Sequence, residues 1–422
     1  MTGACRSIFR ETWTTGWVEN RPLVRPLNDG TRVILASERT GWRNYYLCDV
    51  RTGATTPITH LISAEAGAIV RVDENHGRLY YMARDGESFM KWQFHRVGLD
   101  GRDDVRLTDP RFSHSVSLSP DEAHFVDVYQ THDQPPASRL VDDRGGVVAE
   151  LATSDLTRFE QLGLRRVQQF SYLAANGRTT LYGTIAFPST FDPTRRYPVL
   201  ISTYAGPESA EGVPAETFGV PSLVTEYGFL VVALGTRAAP GQGRRTLDEL
   251  YLKLGRTEID DLAAGVKAIR DRPYVDAARV GIFGTSYGGY AAVMSLLRYP
   301  EVFTAAAASS APTDWRLYDT IYTERYMATP QENTAGYDAG SAMTYAANLR
   351  GRLLIYYGTA DNNVHPTNAL RLMQALDAAG KSYDVQVGPD KEHSAVAFTR
   401  MMEFFVTNLM ARPGAVARSS QN

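Results

Sequence analysis

Gly284-Thr285-Ser286-Tyr287-Gly288 puts a serine between two glycines at the spacing that lets a hydroxyl act as a nucleophile. An apolar, β-rich run, Arg279 to Phe283, leads in, and a helix-compatible run, Tyr290 to Arg298, leads out. This is the strand–turn–helix context of a nucleophile elbow. Such a turn is too tight for large flanking residues, which accounts for Gly284 and Gly288. It holds the serine oxygen exposed at the carboxyl end of a sheet. The amide of Tyr287, next in the chain, is then placed to donate to an oxyanion.

A serine nucleophile needs a base and an acid, and on an α/β-hydrolase sheet they follow it in the order acid, then histidine. Two histidines follow Ser286, namely His365 and His393. Asp361 closes the strand-like run Arg352 to Gly358 and is the acid the pattern selects; Asp384 and Asp390 are weaker candidates. His365 stands too near Asp361 to come from a separate loop and reads as a loop or helix-start residue. His393 follows the strand-like run Ser382 to Val387 and a turn, so it is the expected base. It would take the Ser286 proton as a carbonyl is attacked and later return it to the leaving group. Asp361 would fix the imidazole tautomer and stabilise the imidazolium. The sequence has no His-x-x-x-His pair, cysteine cluster or phosphate-cradling loop, so no metal or cofactor is expected.

A chain of 422 residues can hold two domains, and 43% hydrophobic with 22% charged residues is an ordinary globular balance. A net charge of −3 without a basic run argues against nucleic acid as partner. Cys5 and Cys48 could pair, but free thiols fit equally well. The opening Met1 to Ser7 has no apolar signal core, and no run reaches membrane-spanning length. As written the chain reads as soluble and unexported, hence cytoplasmic; a missing upstream segment would make it periplasmic or secreted.

The elements that would position these residues fall into two halves. Residues 1–152 read as short strands and turns with a faint repeat. Runs beginning at Arg32, Arg78 and Ala123 recur about every 45 residues, the spacing of β-propeller blades. Turn signals at Arg51-Thr52-Gly53, Asp100-Gly101 and Arg144-Gly145-Gly146 close the later hairpins. An ordinary sandwich would show similar turns. About three blades are fewer than the roughly 4–8 of a closed propeller.

Residues 153–422 alternate strands with helices, which predicts a mostly parallel sheet covered on both faces. Leu156, Phe159 and Leu162 suggest a connecting helix. Ile259, Leu262, Val266 and Ile269 recur at helical spacing behind a capping box at Thr257-x-x-Asp260. A last helix would carry Val396, Met401, Phe404, Phe405 and Leu409. The expected fold is thus an α/β-hydrolase domain preceded by an all-β, incomplete propeller-like domain.

With these residues on the page, the second half resembles the catalytic domain of the prolyl oligopeptidase family, dipeptidyl peptidase IV subfamily. The resemblance rests on four motifs. They are Tyr204-Ala205-Gly206-Pro207, Gly284 to Tyr290, Tyr322-Thr323-Glu324-Arg325-Tyr326-Met327, and Gly358 to His365. Thr15-Gly16-Trp17-Val18 and Ser37 to Trp42 resemble the closing blades of that family's propeller. The resemblance implies a serine peptidase acting on peptides after proline or alanine, releasing N-terminal dipeptides through an acyl-enzyme. It implies the Tyr204 hydroxyl as second oxyanion donor, and Trp315, Tyr318, Tyr322 and Val364 as the pocket before the scissile bond. Asn363 would bind a substrate carbonyl. A homodimer through the hydrolase domain is also implied.

One departure stands out. Members of this subfamily hold the substrate's free amine with a pair of propeller glutamates. No Glu-Glu counterpart occurs here, where it would lie upstream of residue 1, and nothing around Glu11, Glu19 or Glu38 marks them as substitutes. Two other readings therefore stay open. One is an acyl-hydrolase or oligopeptidase without a free-amine requirement. The other is a catalytically silent relative serving as an interaction module.

Overall fold

The computed structural model of the protein describes residues 5–18, 23–209 and 215–410. Met1 to Ala4 of the opening stretch and Glu19 lie outside the described residues. The chain divides into two compact units.

The first unit comprises the described residues up to Leu156 with those of Pro214–Gly219 and Pro240–Asp248. It contains three separate four-stranded antiparallel sheets. These are β1 (Val24–Pro26), β2 (Arg32–Ser37), β3 (Asn44–Asp49) and β4 (Thr55–Pro57); then β5 (Ala66–Asp73), β6 (Arg78–Ala83), β7 (Gln93–Gly98) and β8 (Val105–Arg106); then β9 (Ser113–Leu118), β10 (His124–Gln130), β11 (Ala137–Asp142) and β12 (Val147–Thr153). The sequence repeat falls on the second strand of each sheet.

Alternation of side chains explains why β6 reads as unbroken apolar sequence. Leu79, Tyr81 and Ala83 pack with Ile34, Ala36 and Tyr45 of the first sheet. Tyr80 and Met82, pointing the other way, pack with Phe125 and Val141 of the third. The middle sheet is thus buried on both faces, a stack of blades and not the two layers of a sandwich. The turn glycines Gly53, Gly101 and Gly145 adopt φ of 77°, 81° and 85°, a region a side chain disfavours. Cys5 is exposed and Cys48 is buried, and no disulfide joins them.

The second unit is built on one eight-stranded sheet. Its strands are β13 (Gln168–Leu173), β14 (Thr180–Ala186), β15 (Tyr197–Ser202), β16 (Leu230–Leu234), β17 (Val275–Thr285), β18 (Ala305–Ser309), β19 (Arg352–Gly358) and β20 (Asp384–Gly388). The order is β13-β14-β16-β15-β17-β18-β19-β20. The first two pairings are antiparallel, and every pairing from β16 to β20 is parallel. The strands β15 to β20 therefore end on one side, where loops can gather a site. The helix Tyr287–Arg298 packs on β17 and β18. The opposite face, through Leu200, Ala305, Ala307 and Leu354, is covered by Met401, Met402, Phe404, Phe405 and Leu409. Among the described residues no helix is long and apolar enough to cross a membrane.

Several expectations are corrected. The connecting helix is one short turn, Thr157–Gln161, with no buried residue. The helix Thr257–Ile269 has no capping box. Its N-cap is Arg256, without a side-chain cap, because the Thr257 hydroxyl donates to the Glu249 carbonyl and Asp260 accepts from Tyr299 instead. Val396 precedes the last helix, Phe398–Phe405, and its amide donates to Ser309 Oγ. The edge strand β13 was not expected, since its polar, largely uncovered residues carry no clear alternation.

Phe405 is completely buried and packs against Phe283, which leads into the turn at Ser286. Phe405→Ala should destabilise the second unit by about 3–5 kcal/mol, the usual cost of emptying such a site. Urea unfolding followed by tryptophan fluorescence measures this.

Candidate active site

Ser286 sits between β17 and the helix Tyr287–Arg298 with φ 60° and ψ −124°, a strained conformation for a residue with a side chain. The surroundings enforce it. The Ser286 amide donates to the Ser309 carbonyl at 2.9 Å, and its carbonyl accepts the first helical bond from Tyr290 at 3.0 Å. A Cβ on Gly284 would stand 2.4 Å from the Thr203 carbonyl oxygen, and one on Gly288 2.3 Å from the same atom. Those glycines let β15, β17 and the helix close in. The Tyr287 amide is the first of the helix, one of the donors that helix geometry leaves without an internal partner.

Asp361 lies just past β19 and is buried. Its Oδ1 accepts from the amides of Asn363 and Val364 at 3.0 and 2.9 Å. Its Oδ2 faces His393 Nδ1 at 2.8 Å. A carboxylate only accepts, so His393 Nδ1 carries a proton and donates it to Asp361. The loop bearing His393 is tied down on both sides. Lys391 O accepts from the Ala360 amide, Ser394 O accepts from Ser310 Oγ at 2.9 Å, and Ser394 Oγ meets Tyr356 Oη at 3.0 Å. Sequence reading passed over Ser309, Ser310 and Tyr356. The one available signal was a Ser-Ser pair ending a run of alanines.

Ser286, His393, Tyr204 and Asn363 line one concavity of about 700 Å³, together with Thr285, Phe283, Val396, Phe398 and Met401. His365 stands apart, exposed, with Nδ1 against Thr367 Oγ1 at 2.7 Å beside a helix start. Asp384 is an exposed strand residue, and Asp390 sits in an exposed turn at φ 56°.

The expected pocket residues form an aromatic cluster. Trp315 stacks on Tyr322 with centroids 5.9 Å apart and meets Tyr318 edge-on at 6.1 Å. It is itself buried, also against Tyr287 and Tyr290, so it buttresses the half-exposed Tyr318 and Tyr322. Burial pushes the Tyr318 and Tyr322 hydroxyls above the ordinary phenol range, so both remain neutral donors. Tyr318 donates to Asn363 Oδ1 at 2.8 Å, joining the two residues. Val364 is buried, and its amide holds Asp361. The Tyr204 ring lies 6.1 Å from that of Tyr287. Away from this site, Asp73, His76 and Glu122 bring three ligand-type atoms within 4.8 Å of one another. Arg71 lies 3.7 Å from Glu122 and supplies a positive charge there already.

Comparisons with known proteins bear on the family of the chain. Residues 216–410 match the prolyl oligopeptidase family, and residues 1–136 match the dipeptidyl peptidase IV N-terminal region. A probable dipeptidyl-aminopeptidase B of Metarhizium robertsii is 33% identical over 347 residues, 78% of this chain and 36% of that protein. Human dipeptidyl peptidase 8 is 32% identical over 344 residues, 78% of this chain and 38% of that protein. The chain thus spans little more than a third of these relatives. The crystal structure of Porphyromonas gingivalis dipeptidyl peptidase 4 superposes with a TM-score of 0.79 at 30% identity, covering 92% of this chain and 56% of that one. A putative dipeptidyl aminopeptidase IV from Bacteroides ovatus shares the fold, with a TM-score of 0.81 at 24% identity, over 92% of this chain and 58% of that one. The chain belongs to the prolyl oligopeptidase family, with an N-terminal region of the dipeptidyl peptidase IV type.

Proposed function

We propose that this protein is a serine peptidase that cleaves after proline or alanine and releases dipeptides from peptide N-termini. The observation that carries the reading is the 2.8 Å contact of His393 with a buried Asp361, opening onto the same concavity as Ser286. In this reading His393 Nε2 takes the Ser286 proton as Oγ attacks the carbonyl carbon. The oxyanion meets the Tyr287 amide and the Tyr204 hydroxyl. The imidazolium then protonates the departing amine, and water repeats the cycle on the acyl-enzyme. The flat faces of Tyr318 and Tyr322, backed by Trp315 and Val364, suit a rigid apolar ring such as proline. In the same reading Asn363, on the lining of that concavity, binds a substrate carbonyl.

A second reading, an acyl-hydrolase or oligopeptidase indifferent to a free amine, draws on the first unit's glutamates. Glu11 accepts from the Ser37 hydroxyl and the Glu38 amide, and Glu38 pairs with Arg244 at 3.3 Å. Both carboxylates are already engaged, so neither stands ready for a substrate ammonium.

Hydrolysis of Gly-Pro-p-nitroanilide, its N-acylated form and a p-nitrophenyl ester separates these readings, with Ser286→Ala as blank. Preference for the free amine is the expected result. Turnover of the blocked substrates alone selects the second reading, and silence from folded protein selects a non-catalytic interaction module. Wild-type turnover by Ser286→Ala would overturn all the catalytic readings.

Asp361→Asn should fold, since Oδ1 keeps its two amide bonds, yet lose about 10⁴-fold in kcat because the imidazole adopts the wrong tautomer. A smaller loss than tenfold would remove Asp361 from the assigned role.

A further inference from the structure

One buried acid next to the site has no part in the mechanism so far. Glu258, in the first turn of the helix Thr257–Ile269, is completely shielded from solvent. Its Oε1 accepts from the Tyr287 hydroxyl at 2.7 Å and from the Gly255 amide at 2.5 Å. Its Oε2 is buried with no hydrogen-bond partner. Tyr287 directly follows Ser286, and its amide is the candidate oxyanion donor. Its ring, also buried, is packed among Tyr204, Tyr290 and Trp315. The hydroxyl of that ring is the polar end by which the residue can be held.

We propose that Glu258 is a positioning residue for the oxyanion hole. Its carboxylate grips the Tyr287 hydroxyl, fixes the residue that carries the donor amide, and so makes Ser286 fully reactive only when Glu258 is ionised. This rests on the reading of Ser286 as nucleophile given above.

The physical basis is the difference between two bonds. A phenol donating to a carboxylate makes a shorter and stronger hydrogen bond than one donating to a neutral acid. Losing the charge therefore loosens Tyr287. The position also favours the charge being available, since the first turn of a helix stabilises an anion. Burial is the largest influence on Glu258 and pushes its carboxyl up to about 7; the Tyr287 hydroxyl, the amides of Glu258 and Gly255, and Arg298 pull the other way. The transition thus falls in the physiological range. The groups facing it are Tyr287, Tyr290 and Arg298 of one helix and Tyr322 of Thr320–Met327. Burial raises all three phenols well above 10, so they stay neutral while Glu258 titrates. An anion near an oxyanion also opposes catalysis by repulsion. Here the charge sits beyond the far end of a tyrosine side chain, so positioning dominates.

The test is the rate at which a fluorophosphonate reagent labels Ser286 between pH 5 and 9, which needs no assumption about substrate. Wild type and variant are compared at each pH, so that every proton they share cancels in the ratio of their rates. The wild-type rate should equal that of Glu258→Gln at pH 5, where both carry a neutral side chain, and pull ahead of it as pH climbs through about 7. At pH 8 the Glu258→Gln rate should lie about 3–10-fold below the wild type. Tyr287→Phe keeps the buried ring, removes the gripped hydroxyl, and should behave the same way.

Melting temperature supplies a readout independent of reactivity. A carboxyl raised in the folded state weakens folding as pH climbs from its ordinary value through about 7. The wild type should therefore lose melting temperature relative to Glu258→Gln between pH 5 and 8. A rate ratio between wild type and variant that does not change with pH, a faster variant at pH 8, or a flat melting difference would each overturn the proposal. No labelling of the folded wild type at any pH would overturn the nucleophile reading itself.

Discussion

The second unit is organised by a shortage of space around one turn. Ser286 must leave β17 and enter a helix within a single residue. The Thr203 carbonyl and the Gly288 backbone stand where a Cβ on Gly284 would be, and the Ser309 carbonyl where a Cβ on Gly289 would be. Only glycine fits at these positions, and the strain falls on the serine, at φ 60°. Holding that strain requires neighbours that do not yield. The parallel strands on either side and the buried helix Tyr287–Arg298 supply them.

The same rigidity extends to Asp361 and His393. Asp361 spends one oxygen on two backbone amides and the other on His393, so its side chain has no alternative pose of comparable energy. The His393 loop is in turn fastened to β18 and β19 through Ser309, Ser310 and Tyr356. Three strand ends thus share one set of polar ties. Buried polar groups that are fully paired fix a geometry; partly paired ones do not.

Much of this was legible in the residues. The blade repeat was visible because β6 buries both faces and so writes an apolar run that cannot be mistaken for a loop. Ser286, Asp361 and His393 could be picked out as candidates because each follows a β-rich run. Other features left little trace. In β13 the alternation is hidden by polar residues on an uncovered edge. Thr257 and Asp260 spell a capping box, but tertiary partners claim both side chains. Glu258 looks like an ordinary first-turn acid, and only packing brings it to Tyr287. Local spacing carries local structure; a contact between two helices must be seen in three dimensions.

The division into units has a consequence for how the molecule could be taken apart. The described residues of Pro214–Gly219 and Pro240–Asp248 lie within the sequence of the hydrolase half yet belong to the first unit. There, Gly241 and Gly243 donate to Glu65 at 3.0 and 2.9 Å, and Trp13 donates to Asp248 at 2.7 Å. The chain therefore crosses between units five times, not once. No single cleavage yields two self-sufficient pieces, and a segment starting at Thr157 would carry two loops stripped of their partners. The architecture is modular in appearance but interleaved in connectivity.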